Sequence, residues 1–81
     1  MIVRVRLFAR CRDLARADSV AVEVEEACRV SKLRSTLGEK LPALRELLSK
    51  CAVAVNEEFA EDDTMLSIDD EIAMIPPVSG G

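Results

Sequence analysis

Two stretches of strict alternation confine what this chain can become. In residues 2–8, Val3, Val5 and Leu7 fall on one face, with Arg4, Arg6 and Phe8 on the other. In residues 19–25, Val20, Val22 and Val24 alternate with Ser19, Ala21, Glu23 and Glu25. Strand side chains alternate between faces with period two, so each stretch reads as a strand with one buried face. Such a face needs a cover. Leu33, Leu37 and Leu41 offer one, spaced at helical intervals beyond Ser31. Ser31 is expected to cap this main helix, over 31–41, with Val30 as an apolar neighbour before it. Gly38 inside it costs about 1 kcal/mol against Ala. Close packing on the sheet, or early fraying, would account for it. Pro42 closes the helix or opens the next turn.

The remaining elements fit around this pair of layers. A short helical segment runs from Arg10 to about Arg16, with Leu14 as its inward anchor. Leu44, Leu47 and Leu48 point to a second short helix under the sheet rim. Ala52–Val55 reads as a strand with its valines inward, a turn falls at Asn56-Glu57, and Glu58-Phe59-Ala60 returns. Met65, Leu66 and Ile68 are expected to be buried in an irregular connection. Ile72-Ala73-Met74-Ile75 is the last strand. The order β-(α)-β-α-α-β-β-β makes one mixed sheet with a helix across one face, an α+β architecture. Its open face then carries Arg4, Arg6, Phe8, Ala54, Ala73 and Ile75. Small alanines flanked by Phe8 and Ile75 form a smooth, partly apolar surface suited to binding a protein.

Composition removes several function classes. A chain of 81 residues is one domain with a thin core. There is no His, so the usual zinc sites and imidazole-based catalysis are excluded. Cys11, Cys28 and Cys51 are odd in number, widely spaced and without a C-x-x-C pair, which suits buried thiols in a reducing compartment. Asp62-Asp63 and Asp69-Asp70 lack the spacing and the turn glycine of a calcium loop, so no metal site is expected. Two aromatics, Phe8 and Phe59, make no stacking platform, and a net charge of −4 disfavours a nucleic-acid partner. All eleven bases lie in residues 1–50 with seven acids, a net of +4, whereas residues 51–81 hold eight acids and no base. That asymmetry would steer the acidic half toward a basic surface. Charges interrupt every apolar run at the N-terminus. No signal peptide or membrane span is expected, and a cytoplasmic location follows as the default.

The end of the chain carries the functional signal. Pro76-Pro77-Val78-Ser79-Gly80-Gly81 contains two of the three glycines. The two prolines stiffen an extended exit, and the tip thins to bare backbone. The chain is read as a folded body over 1–75 and an extended functional tail over 76–81. Six stretched residues reach at most about 20 Å, enough to enter a partner's active site. No side-chain constellation supports catalysis, which leaves the α-carboxyl of Gly81. A carboxylate is a poor acyl electrophile, so a partner must activate it, most simply by adenylation with ATP. Gly80 and Gly81 suit this because a Cβ near the carbonyl would block entry and attack. Residue chemistry reaches an activated-carboxyl carrier, without naming its nucleophile or acceptor.

Four segments carry a resemblance: Leu7-Phe8-Ala9-Arg10-Cys11-Arg12-Asp13-Leu14, Val53-Ala54-Val55-Asn56-Glu57-Glu58-Phe59, Asp70-Glu71-Ile72-Ala73-Met74-Ile75, and the tail itself. Together they resemble the small subunit of molybdopterin synthase over essentially the whole chain. The resemblance implies a ubiquitin-like β-grasp fold, with a mixed sheet of about five strands on one main helix. It implies a sulfur carrier that holds no cofactor stably. An activating enzyme uses ATP to adenylate the carboxyl of Gly81, and sulfuration makes a thiocarboxylate. The tail then enters the large catalytic subunit, where sulfur passes to cyclic pyranopterin monophosphate to build the dithiolene of molybdopterin. The family's assembly is a heterotetramer of two large and two small subunits, in which the small subunit donates sulfur without catalysing. Gly81 maps to the carrier residue and Gly80 to the narrow part of the tail. Phe8, Ile75, Pro76, Pro77, Val78 and Ser79 match partner-binding positions. Where this chain has Asp70, the family often has glycine, and Asp tolerates a left-handed turn better than most residues. A ubiquitin-like modifier joined to lysines, a thiamine-pathway sulfur carrier and a plain interaction domain remain as alternatives. The Pro-Pro pair and the match along the chain favour the molybdenum pathway.

Overall fold

The computed structural model describes residues 1–77. Five strands form one sheet: β1 (Ile2–Leu7), β2 (Ser19–Glu23), β3 (Ala52–Val55), β4 (Glu58–Ala60) and β5 (Ile72–Ile75), in the order β2-β1-β5-β3-β4. The first and last strands of the chain are parallel neighbours, Val5 opposite Ile72 and Leu7 opposite Met74. The other three pairings are antiparallel. A parallel pair needs a long crossover, and α2 (Val30–Lys40) lies within it. Two short helices complete the set, α1 (Ala9–Ala15) and α3 (Arg45–Leu48), the latter preceded by a 3₁₀ turn over Pro42–Leu44.

The alternation decides the layers as expected. β1 buries Val3, Val5 and Leu7 and exposes Ile2, Arg4 and Arg6. These three meet Val22, Val53, Ile72 and Met74 from the neighbouring strands and Leu33 and Leu37 from α2 in one buried cluster, closed at one end by Leu44 and Leu48. Each such side chain fully removed from water contributes about 1.5–3 kcal/mol.

Several local readings need correction. The main helix starts at Val30, so Ser31 is helical and exposed rather than its cap. The loop before β5 does the capping instead. The Val30 and Ser31 amides donate to the carbonyl oxygens of Thr64 and Asp62 at 3.0 and 2.9 Å, which satisfies two of the helix's orphan donors. In α1 the inward residue is Cys11, fully buried, whereas Leu14 is 38% exposed. One turn links Cys11 to Ala15, which packs on the core, and this spacing rotates Leu14 outward. Of Met65, Leu66 and Ile68, only Leu66 is buried. Met65 forms an isolated bridge with Arg29, and a turn closed by the Asp70 amide on the Ser67 carbonyl oxygen at 3.1 Å leaves Ile68 exposed. Leu66 turns inward with its amide on the Cys28 carbonyl at 2.9 Å, while Met65 faces out. Gly38 is buried, yet a Cβ placed on it would meet Arg45 and Leu48 at no less than 3.8 Å. The fit of α2 on α3 therefore does not demand glycine.

Arg34 ties three elements together. Its guanidinium donates to the carbonyl oxygens of Leu48 and Cys51 and pairs with Asp62 at 3.0 Å. A second tie holds the sheet end where β5 begins, opposite the end at Ile75. Asn56 and Glu57 have φ of 53° and 69°, the left-handed pair of a type I′ hairpin turn between β3 and β4. The Asn56 side chain donates to the Asp70 carboxylate and accepts from the Glu71 amide, both at 2.9 Å. The Asn56 amide donates to the Glu71 carbonyl oxygen at 2.8 Å. Asp70 also accepts from the Ser67 amide at 2.7 Å, and its own φ is not left-handed. The acidic turn thus needs no glycine at Asp70, because the carboxylate itself holds the turn closed.

Candidate functional site

The open sheet face is assembled by strand register. Arg6 lies opposite Ala73, Ala73 opposite Ala54, and Ala54 opposite Phe59. One row therefore crosses four strands on the face turned away from α2. Its two central members are alanines, so the row has a low floor between taller ends. The result is a shallow trough of about 230 Å³, walled by Arg6, Phe8, Phe59 and Ile75, with Glu57 and Glu71 at one end. The Arg6 guanidinium sits 5.1 Å from the centre of the Phe8 ring, a cation–π contact on one wall. Phe59, on edge strand β4, is 78% exposed, far more than Phe8 at 37%. An aromatic side chain that open, beside an alanine floor, presents apolar area to a partner at little ordering cost.

A second hollow of about 400 Å³ adjoins the first at the base of the tail, and it is almost wholly apolar. Phe8, Ala9, Arg10, Leu47, Ile75, Pro76 and Pro77 line it. Phe8 and Ile75 border both hollows, because β1 and β5 run parallel and each residue sits at or just past its strand's end. The structure thus brings Phe8, Ile75, Pro76 and Pro77 together. Pro76 is buried in this arrangement and Pro77 is exposed. The turn from β1 into α1 requires Ala9 at φ 48°, a left-handed conformation that costs a residue bearing a Cβ about 1 kcal/mol or more. Val78, Ser79, Gly80 and Gly81 lie outside the described residues.

Sequence reasoning placed Phe59 on a returning strand without assigning it a face, and it put Leu47 on a short helix without assigning it to the site. The signal for Phe59 was present. A two-residue turn at Asn56-Glu57 fixes Val55 opposite Glu58 and Ala54 opposite Phe59, so Phe59 must share the open face with Ala54. No equivalent signal exists for Leu47, whose position depends on how α3 docks.

Among the described residues no three His, Cys, Asp or Glu side chains stand close enough to hold a metal ion. No helix among them is long and apolar enough to cross a membrane. All three cysteines are free thiols and buried. The trough and hollow can grip a partner, but they present no nucleophile with an adjacent base.

Comparison with known proteins agrees in extent and in fold. The model of the ThiS family matches residues 5–81. A molybdopterin synthase sulfur carrier subunit from Arabidopsis thaliana is 35% identical over 79 residues, covering 98% of this chain and 82% of that protein. The crystal structure of SAMP1 from Haloferax volcanii superposes with a TM-score of 0.87 at 28% identity, covering all of both chains. A protein–protein complex of subunits 1 and 2 of molybdopterin-converting factor from Helicobacter pylori contains a chain matching at a TM-score of 0.71 and 28% identity, with full coverage of both. The fold is the ubiquitin-like β-grasp.

Proposed function

The chain belongs to the ThiS family, and on that premise we propose that it is the sulfur carrier subunit of molybdopterin synthase. Its working group is the carboxyl of Gly81. One carboxylate oxygen attacks the α-phosphorus of ATP in an activating enzyme, pyrophosphate leaves, and an acyl adenylate forms. A sulfur nucleophile then displaces AMP, and the carrier is left with a terminal thiocarboxylate. The large subunit of the synthase receives the tail and supplies the pocket in which sulfur passes to cyclic pyranopterin monophosphate. Two donations complete one dithiolene, which suits an assembly of two large and two small subunits in the cytoplasm.

The observation carrying this reading is the reach of the family match, which runs through Gly80 and Gly81 and is not confined to the folded body. Relatives named as sulfur carrier subunits and the two-subunit complex from Helicobacter pylori support it. In this reading the trough of Arg6, Phe8, Ala54, Phe59, Ala73 and Ile75 docks on the partner. The hollow around Pro76 holds the base of the tail that carries Val78, Ser79, Gly80 and Gly81. A second reading, a protein modifier joined through Gly81 to lysines, is favoured by the similarity to SAMP1, a small archaeal modifier protein.

Intact-mass spectrometry after incubation with ATP, an activating enzyme and a sulfur source separates the two. The carrier gains one sulfur in place of one oxygen at Gly81. Lysine conjugates would establish the modifier instead, and an unchanged mass would refute both.

A further inference from the structure

A pair of thiols next to the tail base is left unused by sulfur carriage through Gly81. Cys11 on α1 and Cys51 at the entrance to β3 are 40 positions apart, yet their sulfurs lie 3.5 Å from each other. They are 0% and 6% exposed. We propose that this pair is an oxidative modification site, at which a hydroperoxide forms an intramolecular disulfide that staples α1 to the start of β3. A disulfide bond is about 2.05 Å long, so the sulfurs must close by about 1.5 Å.

Burial of both sulfurs restricts the oxidant to a small one. The Cys51 thiol donates to the Leu47 carbonyl oxygen at 3.2 Å, and Leu47 lines two hollows with Arg10. One is the tail-base hollow, and the other is a cleft of about 280 Å³ between α1 and α3 that also includes Leu14 and Lys50. Burial pushes the Cys51 thiol up to about 12, with Cys11 beside it adding to the effect, so the reaction is slow at neutral pH. One sulfur of the pair takes one oxygen to become a sulfenic acid, and the other oxygen leaves as water. The second thiol then attacks that sulfur, its proton leaves with the sulfenic hydroxyl as a second water, and the disulfide forms. The two electrons lost by the sulfurs reduce the peroxide bond. Cys28 is a built-in control. It is buried too, but its thiol meets only the Arg29 carbonyl oxygen, at 3.3 Å, and no second sulfur.

The test treats the folded full-length chain with hydrogen peroxide, then combines intact-mass spectrometry with a non-reducing peptide map. The expected product has lost two hydrogen atoms, is monomeric, and links the peptides of Cys11 and Cys51. Cys28→Ser forms the same link, and Cys51→Ser does not. Closing a loop of this length raises the melting midpoint by about 10 °C or more. Links through Cys28, links between chains, oxygenated thiols without a link, or no reaction would overturn the proposal. So would a linked chain that melts no higher. The peptide map of the unmodified sequence decides the matter even where a serine variant fails to fold.

Discussion

The Asn56 clamp is the sharpest place to test the structural argument, because its backbone and side-chain contributions can be separated. Asn56 adopts φ 53° and holds both the Asp70 carboxylate and the Glu71 amide through its side chain. Asn56→Ala removes two hydrogen bonds and places a Cβ-bearing residue without a polar side chain in the left-handed region. Asn56 is exposed, so water replaces each lost partner and each bond is taken at about 0.5–1 kcal/mol. The left-handed backbone adds about 1 kcal/mol. The total loss is about 2.5 kcal/mol. Asn56→Gly loses the same bonds but tolerates the backbone, and should cost about 1.5 kcal/mol. Glu57, at φ 69°, supplies the opposite sign: Glu57→Gly relieves a left-handed residue and should stabilise by about 1 kcal/mol.

The chain has no Trp or Tyr, so urea unfolding is best followed by far-ultraviolet circular dichroism, with stability read from midpoints at a common slope. A domain of this size shifts its melting midpoint by about 4–8 °C per kcal/mol. Asn56→Ala should therefore melt about 10–20 °C lower than the parent. If Ala and Gly at Asn56 are equal, the strain argument fails. If both variants fall within 0.5 kcal/mol of the parent, the clamp contributes nothing and the tail's strand is held by its ladder alone. A double-mutant cycle with Asp70→Ala should show about 0.5–1 kcal/mol of coupling for the shared hydrogen bond.

Four further outcomes follow. Gly38→Ala should stabilise by about 1 kcal/mol, since helix propensity gains and the new methyl meets neighbours only at ordinary contact distance; a lower urea midpoint would show that α2 and α3 pack more closely than described. Phe59→Ala should leave the melting curve unchanged, because the ring is exposed, yet weaken binding to the large subunit about tenfold by titration calorimetry; unchanged affinity would remove the trough from the interface. Appending one alanine after Gly81 should abolish sulfur loading in the mass assay at constant thermal stability, and equal loss of folding would argue against a tail separable from the body. Raising the pH above 9 should destabilise the fold: unfolded Cys51 loses its proton near 9.0 while the folded group holds it to about 12, so stability present below 9 falls by up to about 1.4 kcal/mol per unit. Cys51→Ala should flatten that slope, and an unchanged slope would refute the assignment.

The layers of the fold were legible because alternation and helical spacing are short-range signals that burial enforces. Val3, Val5 and Leu7 had one way to face, and Leu33 and Leu37 had one way to cover them. The local errors share a cause. Ser31 looks like a cap only until the loop at Asp62–Thr64 reaches the helix end, and that contact joins residues about thirty positions apart. Leu14 and Cys11 differ by less than one helical turn, and docking against the 3₁₀ turn and β5 decides which faces inward. Met65 and Ile68 were misjudged because apolar residues in an irregular segment carry no period. Asp70 shows the converse, since its replacement of an expected glycine is explained only once its carboxylate is seen to hold the turn.

The strand order gives the site its logic. The tail leaves β5, the central strand of five, and not an edge. A tail hung on an edge strand would inherit that edge's fraying, whereas β5 is held on both sides, by β1 and by β3. Pulling on the tail therefore loads two ladders and the buried Ile72 and Met74 together. The alanine floor lies on β5 and β3, so the surface offered for docking and the strand that emits the tail form one rigid unit. A partner that seats Phe59 and Arg6 at the ends of the trough has thereby fixed the start of the tail at Pro76. From Pro76 the carboxyl of Gly81 is five residues away, at most about 18 Å of stretched chain. On the proposed reading, docking the trough therefore also positions the base of the tail, which is the contribution a carrier without catalytic side chains can make.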